Sequence, residues 1–183
     1  MVGINARLAG IMGDAGRERV EVCWGDSVER LGVRMPSDYR EFVERYGHVQ
    51  FGDDLVVAAP VLVPVVPGGN CFDGIYYFNK DLGEMLEGWY EWSPEIGRPY
   101  ETFPARGCLL GWGNNTISDY FCWDTSAGDP DLWTVVVWRF DISEMIRFDG
   151  GMTEFLAAVL TGEFPDADEF FDRSTGSPTW RSL

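Results

Sequence analysis

The sequence predicts a single α+β domain in which an antiparallel sheet of several hairpin-linked strands packs against helices. Apolar residues recur with the 3.6-residue period of a helix near both ends of the chain, and with the two-residue period of strands between them. Its 183 residues suit one domain, which is large enough to bury about 70% of its unfolded surface. We expect residues 1–25 and 163–183 to be peripheral extensions, the second of them an acidic tail.

Three segments have the i, i+3, i+4, i+7 spacing of an amphipathic helix. They are "PSDYREFVERYG" (36–47), "NKDLGEMLEGWYEW" (79–92) and "GMTEFLAAVLTGEF" (151–164). Asn79 is expected to cap the second helix, and Gly47 and Gly162 end the first and third. The residues predicted to face the core are Tyr39, Phe42, Val43 and Tyr46, then Leu82, Met85, Leu86 and Trp89, then Met152, Phe155, Leu156 and Val159.

The segments between the first and third helices are predicted to be strands. Residues 55–66 contain two prolines, which confine one or two strands to an edge or a bend. Consecutive strands are predicted in "DGIYYFN" (73–79), "RGCLLGW" (106–112), "SDYFCWD" (118–124) and "LWTVVVWRF" (132–140). The junctions "GNNTI" and "TSAGDPD" have the residues of hairpin turns.

The chain is strongly acidic, with 30 acids against 14 bases and a formal charge of −16. Such a field repels nucleic acid and anionic lipid and attracts basic proteins. We therefore expect a basic protein as the partner, and neither nucleic acid nor a membrane. The N-terminus is a poor signal peptide, so we expect a cytoplasmic protein whose four cysteines are reduced and buried. The oligomeric state stays open.

The motifs of familiar active sites do not occur in the sequence. His48 is the sole histidine, and a histidine after a helix-ending glycine is usually solvent-facing or a cap. No phosphate-binding glycine loop, HExxH, CxxC or GxSxG motif occurs. We therefore predict no catalytic residue and no cofactor.

The stretch "DTSAGDPD" (124–131) offers three carboxylates in eight residues. An EF-hand loop needs ligands at alternating positions and a closing glutamate, whereas no glutamate follows here until Glu144. Asp, Gly and Pro also dominate hairpin loops for conformational reasons. We therefore interpret the stretch as a turn without a metal, at the tip of a hairpin that faces a partner.

Three blocks of the chain together resemble the SUKH superfamily. They are "LGVRMPSDYREFVERYG" (31–47), "CLLGWGNNTISDYFCWDTSAGDPDLWTVVVWRFD" (108–141) and "MTEFLAAVLTGEF" (152–164). The first is similar to the opening helix of that family, the second to its central hairpins and the third to its closing helix. The chain departs from the pattern at Met35, where leucine is usual, in a longer aromatic stretch between residues 64 and 107, and in the tail beyond Gly162.

The resemblance implies a binding fold without shared catalytic residues. The superfamily includes fungal cell-wall synthesis regulators and bacterial immunity proteins, which neutralise toxins that are often nucleases. Our first hypothesis is an immunity protein that binds a basic toxin domain. The second is a regulatory or scaffolding module of the same fold, and the third is a carboxylate-dependent hydrolase. The candidate partner-binding residues are Asp124, Asp129, Asp131, Trp133, Asp166, Asp168 and Glu169, whereas Trp123 and Trp138 are expected to be core.

The absence of a metal in the 124–131 loop can be tested by thermal unfolding. A ligand that binds only the folded state raises the free energy of unfolding, so removing a structural calcium would lower the melting temperature. We expect EDTA to leave the melting temperature unchanged. A fall of several degrees that calcium restores would show that these carboxylates bind a metal.

Overall fold

The computed structural model describes residues 3–60, 69–165, 167–170 and 179–183, without the side chain of Glu169. The helices within these ranges are α1 (Ala6–Met12), α2 (Gly25–Leu31), α3 (Ser37–Tyr46), α4 (Asp73–Trp92), α5 (Met152–Thr161) and α6 (Ala167–Phe170). The strands are β1 (Val49–Phe51), β2 (Leu55–Val57), β3 (Leu109–Asn114), β4 (Asp119–Asp124), β5 (Thr134–Arg139), β6 (Glu144–Phe148) and β7 (Trp180–Ser182). Short 3₁₀ turns lie at Pro94–Ile96 and Pro130–Leu132.

The seven described strands form one sheet in the order β6-β5-β4-β3-β2-β1-β7. Every neighbouring pair is antiparallel. Strands β1 to β6 follow one another as a meander, whereas β7 returns to the opposite edge and pairs with β1. The helices and this antiparallel sheet confirm the predicted single-domain α+β fold.

Helices cover both faces of the sheet. Side chains alternate between the two faces along each strand, so each strand contributes to both helix layers. Along β5, Val135 and Val137 lie in the larger core cluster with α1, α3 and α5, whereas Val136 and Trp138 lie in a second cluster with α4. The sheet is thus the middle layer of three, and the strands β3 to β5 are buried from both sides.

The first and third predicted helices are confirmed. Helix α3 buries all four residues of its predicted stripe, and α5 does the same with its own. Gly162 has φ 75°, the left-handed conformation that ends α5. Gly47 also has a positive φ, 77°. In these two helices the apolar stripe was sufficient to identify the buried face.

The prediction of a strand over residues 73–79 is wrong, as is the prediction that Asn79 caps a helix. One helix of 20 residues, α4, runs from Asp73 to Trp92, and Asn79 is fully buried within it. The Asn79 side chain accepts from the N–H of Gly111 (2.6 Å) and donates to the carbonyls of Gly111 (3.0 Å) and Ile75 (2.9 Å). This contact between layers overrides the strand propensity of the adjacent aromatic residues.

A glycine that weakens α4 as an isolated helix lets another segment pack against it. A Cβ at Gly83 would lie 2.8 Å from the carbonyl oxygen of Phe103, so a larger residue would push the 103–107 loop away. Glycine in a helix costs about 1 kcal/mol relative to alanine. At Gly83 this cost is accepted in a position where the backbone of Phe103 lies close to the backbone of α4.

The predicted strands that contain Leu109, Phe121 and Val135 are confirmed as β3, β4 and β5. Between residues 55 and 66 the structure shows β2, and residues 61–68 lie outside the described ranges. The sequence did not predict β1, β6, β7 or the helices α1, α2 and α6, each of which has seven residues or fewer. Short elements contain too few turns or alternations to show a period.

The segments predicted to be peripheral extensions contribute buried side chains. Leu8 of α1 is fully buried, and Phe164 and Phe170 near α6 are almost so. Arg7 forms an ion pair with Glu163, which links the two segments. The division into domain and extensions stays a prediction, although both segments pack against the core.

Removal of either helix-face phenylalanine should destabilise the fold. Phe42 and Phe155 are both fully buried, so Phe42→Ala and Phe155→Ala should each lower the free energy of unfolding by about 3–5 kcal/mol. The measurement is urea unfolding followed by circular dichroism. Trp92→Ala, at a residue that is 89% exposed, is the control and should change the value by only about 0.5 kcal/mol. Wild-type midpoints for both core variants would contradict the burial of these rings.

Candidate functional site

The loop between β4 and β5 holds four of the residues that the sequence analysis selected. Asp124 ends β4 and is only 8% exposed. Its carboxylate accepts from the N–H of Ser126 (3.0 Å) and lies 3.6 Å from the guanidinium of Arg147. Asp124 therefore stabilises the start of the loop, and little of it is open to a partner.

Asp129 and Asp131 are both exposed, yet each also has a local structural contact. Asp129 caps the 3₁₀ turn by accepting from the N–H of Asp131 (3.2 Å). Asp131 accepts from the N–H of Ser37 (2.6 Å), at the beginning of α3. The loop is therefore fixed to α3, and its two exposed carboxylates are held in place.

Trp133 is buried at the base of the loop, with 5% of its surface exposed. Its indole N–H donates to the carbonyl of Ala127 (2.8 Å), and its ring lies 6.1 Å from that of Trp123. Trp123 and Trp138 are also buried, which confirms that they belong to the core. Trp133 thus holds the shape of the loop and presents little surface of its own.

The acidic residues of the tail are only partly described. Asp168 is exposed on α6, which packs on α5. Asp166 lies outside the described residues, and so does the side chain of Glu169. Their part in binding stays a prediction.

A groove of about 630 Å³ lies beside the 125–133 loop. Its walls are residues 31–34 after α2, residues 103–108 before β3, and the loop itself. Leu31, Leu110 and Trp133 give it an apolar floor, and Arg34 and Arg106 are exposed at its sides. The volume is within the range of ligand-binding clefts.

The outer face of α4 is a second acidic surface, which the sequence analysis did not select. Asp81, Glu84 and Glu91 are exposed there, opposite the buried residues Leu82 and Leu86. Trp92, at the end of the helix, is 89% exposed. The helical period that identified the buried stripe also locates this face, since acids recur at the opposite positions.

A buried carboxylate joins the N-terminal ends of α3 and α5. Asp38 accepts from the N–H (3.0 Å) and the hydroxyl (3.1 Å) of Thr153 and from the N–H of Tyr39 (2.7 Å). Burial raises the pKa of Asp38, against the opposing effect of these hydrogen bonds. The three contacts give this carboxylate a structural role at the start of both helices.

His48 and the cysteines differ in part from expectation. His48 is half-buried, and burial lowers its pKa. Cys71, Cys108 and Cys122 are buried as expected, whereas Cys23 is exposed, and all four are free thiols.

In the described ranges no three His, Cys, Asp or Glu side chains come together as metal ligands. No helix in those ranges is both long and apolar enough to cross a bilayer.

The family model described as SMI1-KNR4 cell-wall, SUKH_6, matches residues 28–156. This match spans α2 to the middle of α5 and covers more than two-thirds of the chain. The chain belongs to the SMI1-KNR4 family of the SUKH superfamily. Proteins of this family are in general non-enzymatic immunity or regulatory proteins. No curated protein and no solved structure gives a significant match to the chain.

The buried carboxylate of Asp38 should make stability depend on pH in an unusual direction. Because its pKa is raised in the folded state, the folded protein binds this proton more tightly than the unfolded chain, where an aspartate has a pKa of about 3.9. Acidification through the folded-state pKa should therefore stabilise the wild type relative to Asp38→Asn. The advantage of the wild type in free energy of unfolding should be smallest above the folded-state pKa of Asp38. It should be largest below the pKa of the unfolded chain.

The measurement is the free energy of urea unfolding of the wild type and of Asp38→Asn between neutral pH and pH 4. A wild-type advantage that grows on acidification supports the raised pKa. An advantage that shrinks over the same range would show that the hydrogen bonds from Thr153 and Tyr39 outweigh the effect of burial.

Proposed function

We propose that this protein is an immunity protein that binds and neutralises a basic bacterial toxin domain in the cytoplasm. The observation that carries the proposal is the acidic surface of a chain that belongs to a family of immunity and regulatory proteins. With a formal charge of −16, the surface attracts a basic partner over a distance of several ångströms. A toxin that acts on nucleic acid must bind phosphates and therefore has a basic cleft.

Within that surface, the 125–133 loop is the proposed interface. Asp129 and Asp131 present exposed carboxylates on a backbone fixed to α3. Fixed charges lose little conformational freedom on binding, so more of their attraction contributes to affinity. Leu132, the residue after Asp131, is 68% exposed and adds apolar area at the tip.

The experiment is co-expression of this protein with a toxin domain from a neighbouring gene, compared with the toxin domain alone, followed by measurement of binding rates. Wild-type protein should protect the cells. Its association rate should fall steeply as salt rises, while its dissociation rate changes less, because charge steers the encounter. Failure of the wild type to bind would overturn the proposed function, and binding without protection would favour a regulatory module.

A pair of charge-matched variants locates the interface. Asp129→Asn with Asp131→Asn removes two charges from the loop but keeps the side-chain oxygens that accept hydrogen bonds. Asp81→Asn with Glu91→Gln removes two charges from the outer face of α4. We expect the loop variant to slow association by about tenfold at low salt, and the α4 variant to slow it less. The opposite order would place the interface on α4.

A further inference from the structure

Two arginines differ from all the other described basic residues. Eleven basic residues form an ion pair, a hydrogen bond or a ring contact with the rest of the protein: Arg7, Arg17, Arg19, Arg30, Arg40, Arg45, Lys80, Arg98, Arg139, Arg147 and Arg181. Arg34 and Arg106 have no such contact with a described residue. In a chain with about twice as many acids as bases, two guanidinium groups without any such contact are an exception among the described residues.

Both of these arginines line the groove beside the 125–133 loop. Arg34 follows α2, and Arg106 lies on the loop before β3, so two separate segments bring them to the same cleft. The groove contains no acidic side chain, and its other described walls are apolar or glycine-rich, apart from Thr125. It is thus a small positive site in the surface of a negative protein.

We propose that this groove binds an acidic peptide segment of the partner protein. A carboxylate of the segment would pair with Arg34 and Arg106, since a guanidinium binds a carboxylate with two parallel hydrogen bonds. A neighbouring apolar side chain would pack against Val28 and Pro104, which are exposed in the groove. The volume of about 630 Å³ accommodates a few residues.

A segment of a protein fits this groove better than a free carboxylate does. The charge of −16 repels a small anion as it approaches. A segment carried by a basic partner is instead drawn in with the rest of that partner, and its effective concentration at the groove is high once the partner is bound. The preference for a segment of a basic partner rests on the proposed function.

The consequence is discrimination among basic partners. General attraction to an acidic surface does not distinguish one basic protein from another, whereas two arginines in one groove require an acid at one position of the partner. A basic protein without that acid leaves two arginines facing positive charge, which costs affinity. Arg34 and Arg106 would therefore determine specificity, and the acidic loop would determine the association rate.

A short peptide tests the groove without the toxin domain. The probe is acetyl-Leu-Asp-Leu-amide, and the readout is the NMR shift of the backbone amides of Gly32, Gly107 and Gly128, all of which line the groove. We expect saturable shifts below about 10 mM, and binding about tenfold weaker for acetyl-Leu-Asn-Leu-amide. Equal shifts with the two peptides, no shifts at all, or the same shifts with acetate would overturn the proposal.

Charge-matched variants test the groove both with the peptide and with the toxin domain. Arg34→Gln with Arg106→Gln should abolish the peptide shifts and weaken binding of the toxin domain about tenfold. Arg17→Gln with Arg181→Gln, outside the groove and at β7, removes the same charge and should leave both unchanged. Unchanged peptide binding in the groove variant would overturn the proposal. If the toxin domain does not bind even the wild type, the proposed function fails, and the peptide measurements still decide whether the groove is a carboxylate site.

Discussion

The buried carboxylate of Asp38 connects the elements on one face of the sheet. It holds Thr153 at the start of α5, and the hydroxyl of Thr153 in turn accepts from the N–H of Asn5, just before α1. A Cβ at Gly151 would lie 2.9 Å from the Asp38 carboxylate, so a larger residue there would displace the hydrogen-bonded carboxylate. A buried carboxylate without such partners would be strongly destabilising. Three helices therefore depend on one residue, and the adjacent Ser37 N–H fixes the candidate loop through Asp131.

On the other face of the sheet, the side-chain amide of Asn79 connects helix α4 to strand β3. Asn79 satisfies both the N–H and the carbonyl of Gly111, next to the irregularity in the pairing of β3 with β4. A Cβ at Gly111 would lie 2.7 Å from the ring of Phe78, so α4 lies very close to the sheet. The approach of Phe103 to Gly83 then sets the position of the 103–107 loop, which is one wall of the groove. The groove is thus shaped by contacts between layers as well as by the loops that line it.

The sequence was informative where one element carries its own pattern. Helices α3 and α5 each show a complete apolar stripe, and the hairpins of β3 to β5 show alternation and turn residues, so they could be predicted. The beginning of α4 could not, because its tyrosines favour a strand and its buried Asn79 resembles a cap until Gly111 is placed opposite it. The acids of the loop were identified, but not their hydrogen bonds to Ser126 and Ser37, which depend on the folded geometry. The groove could not be predicted from the sequence, because three segments that are far apart in the chain form it.

The pairing of β7 with β1 joins distant parts of the chain. Each of the strands β1 to β6 pairs with the strand before or after it in the sequence, so they can assemble in the order in which they are synthesised. Helix α4 and the segment around it are inserted between β2 and β3. The free edge of β1 is covered only when Trp180 pairs with Phe51, and non-local pairings of this kind form late. An uncovered strand edge is a template for pairing with another chain. A nascent or truncated chain that lacks residues 179–183 would therefore expose β1 to domain swapping and aggregation, and this edge is covered only after the closing strand has been synthesised.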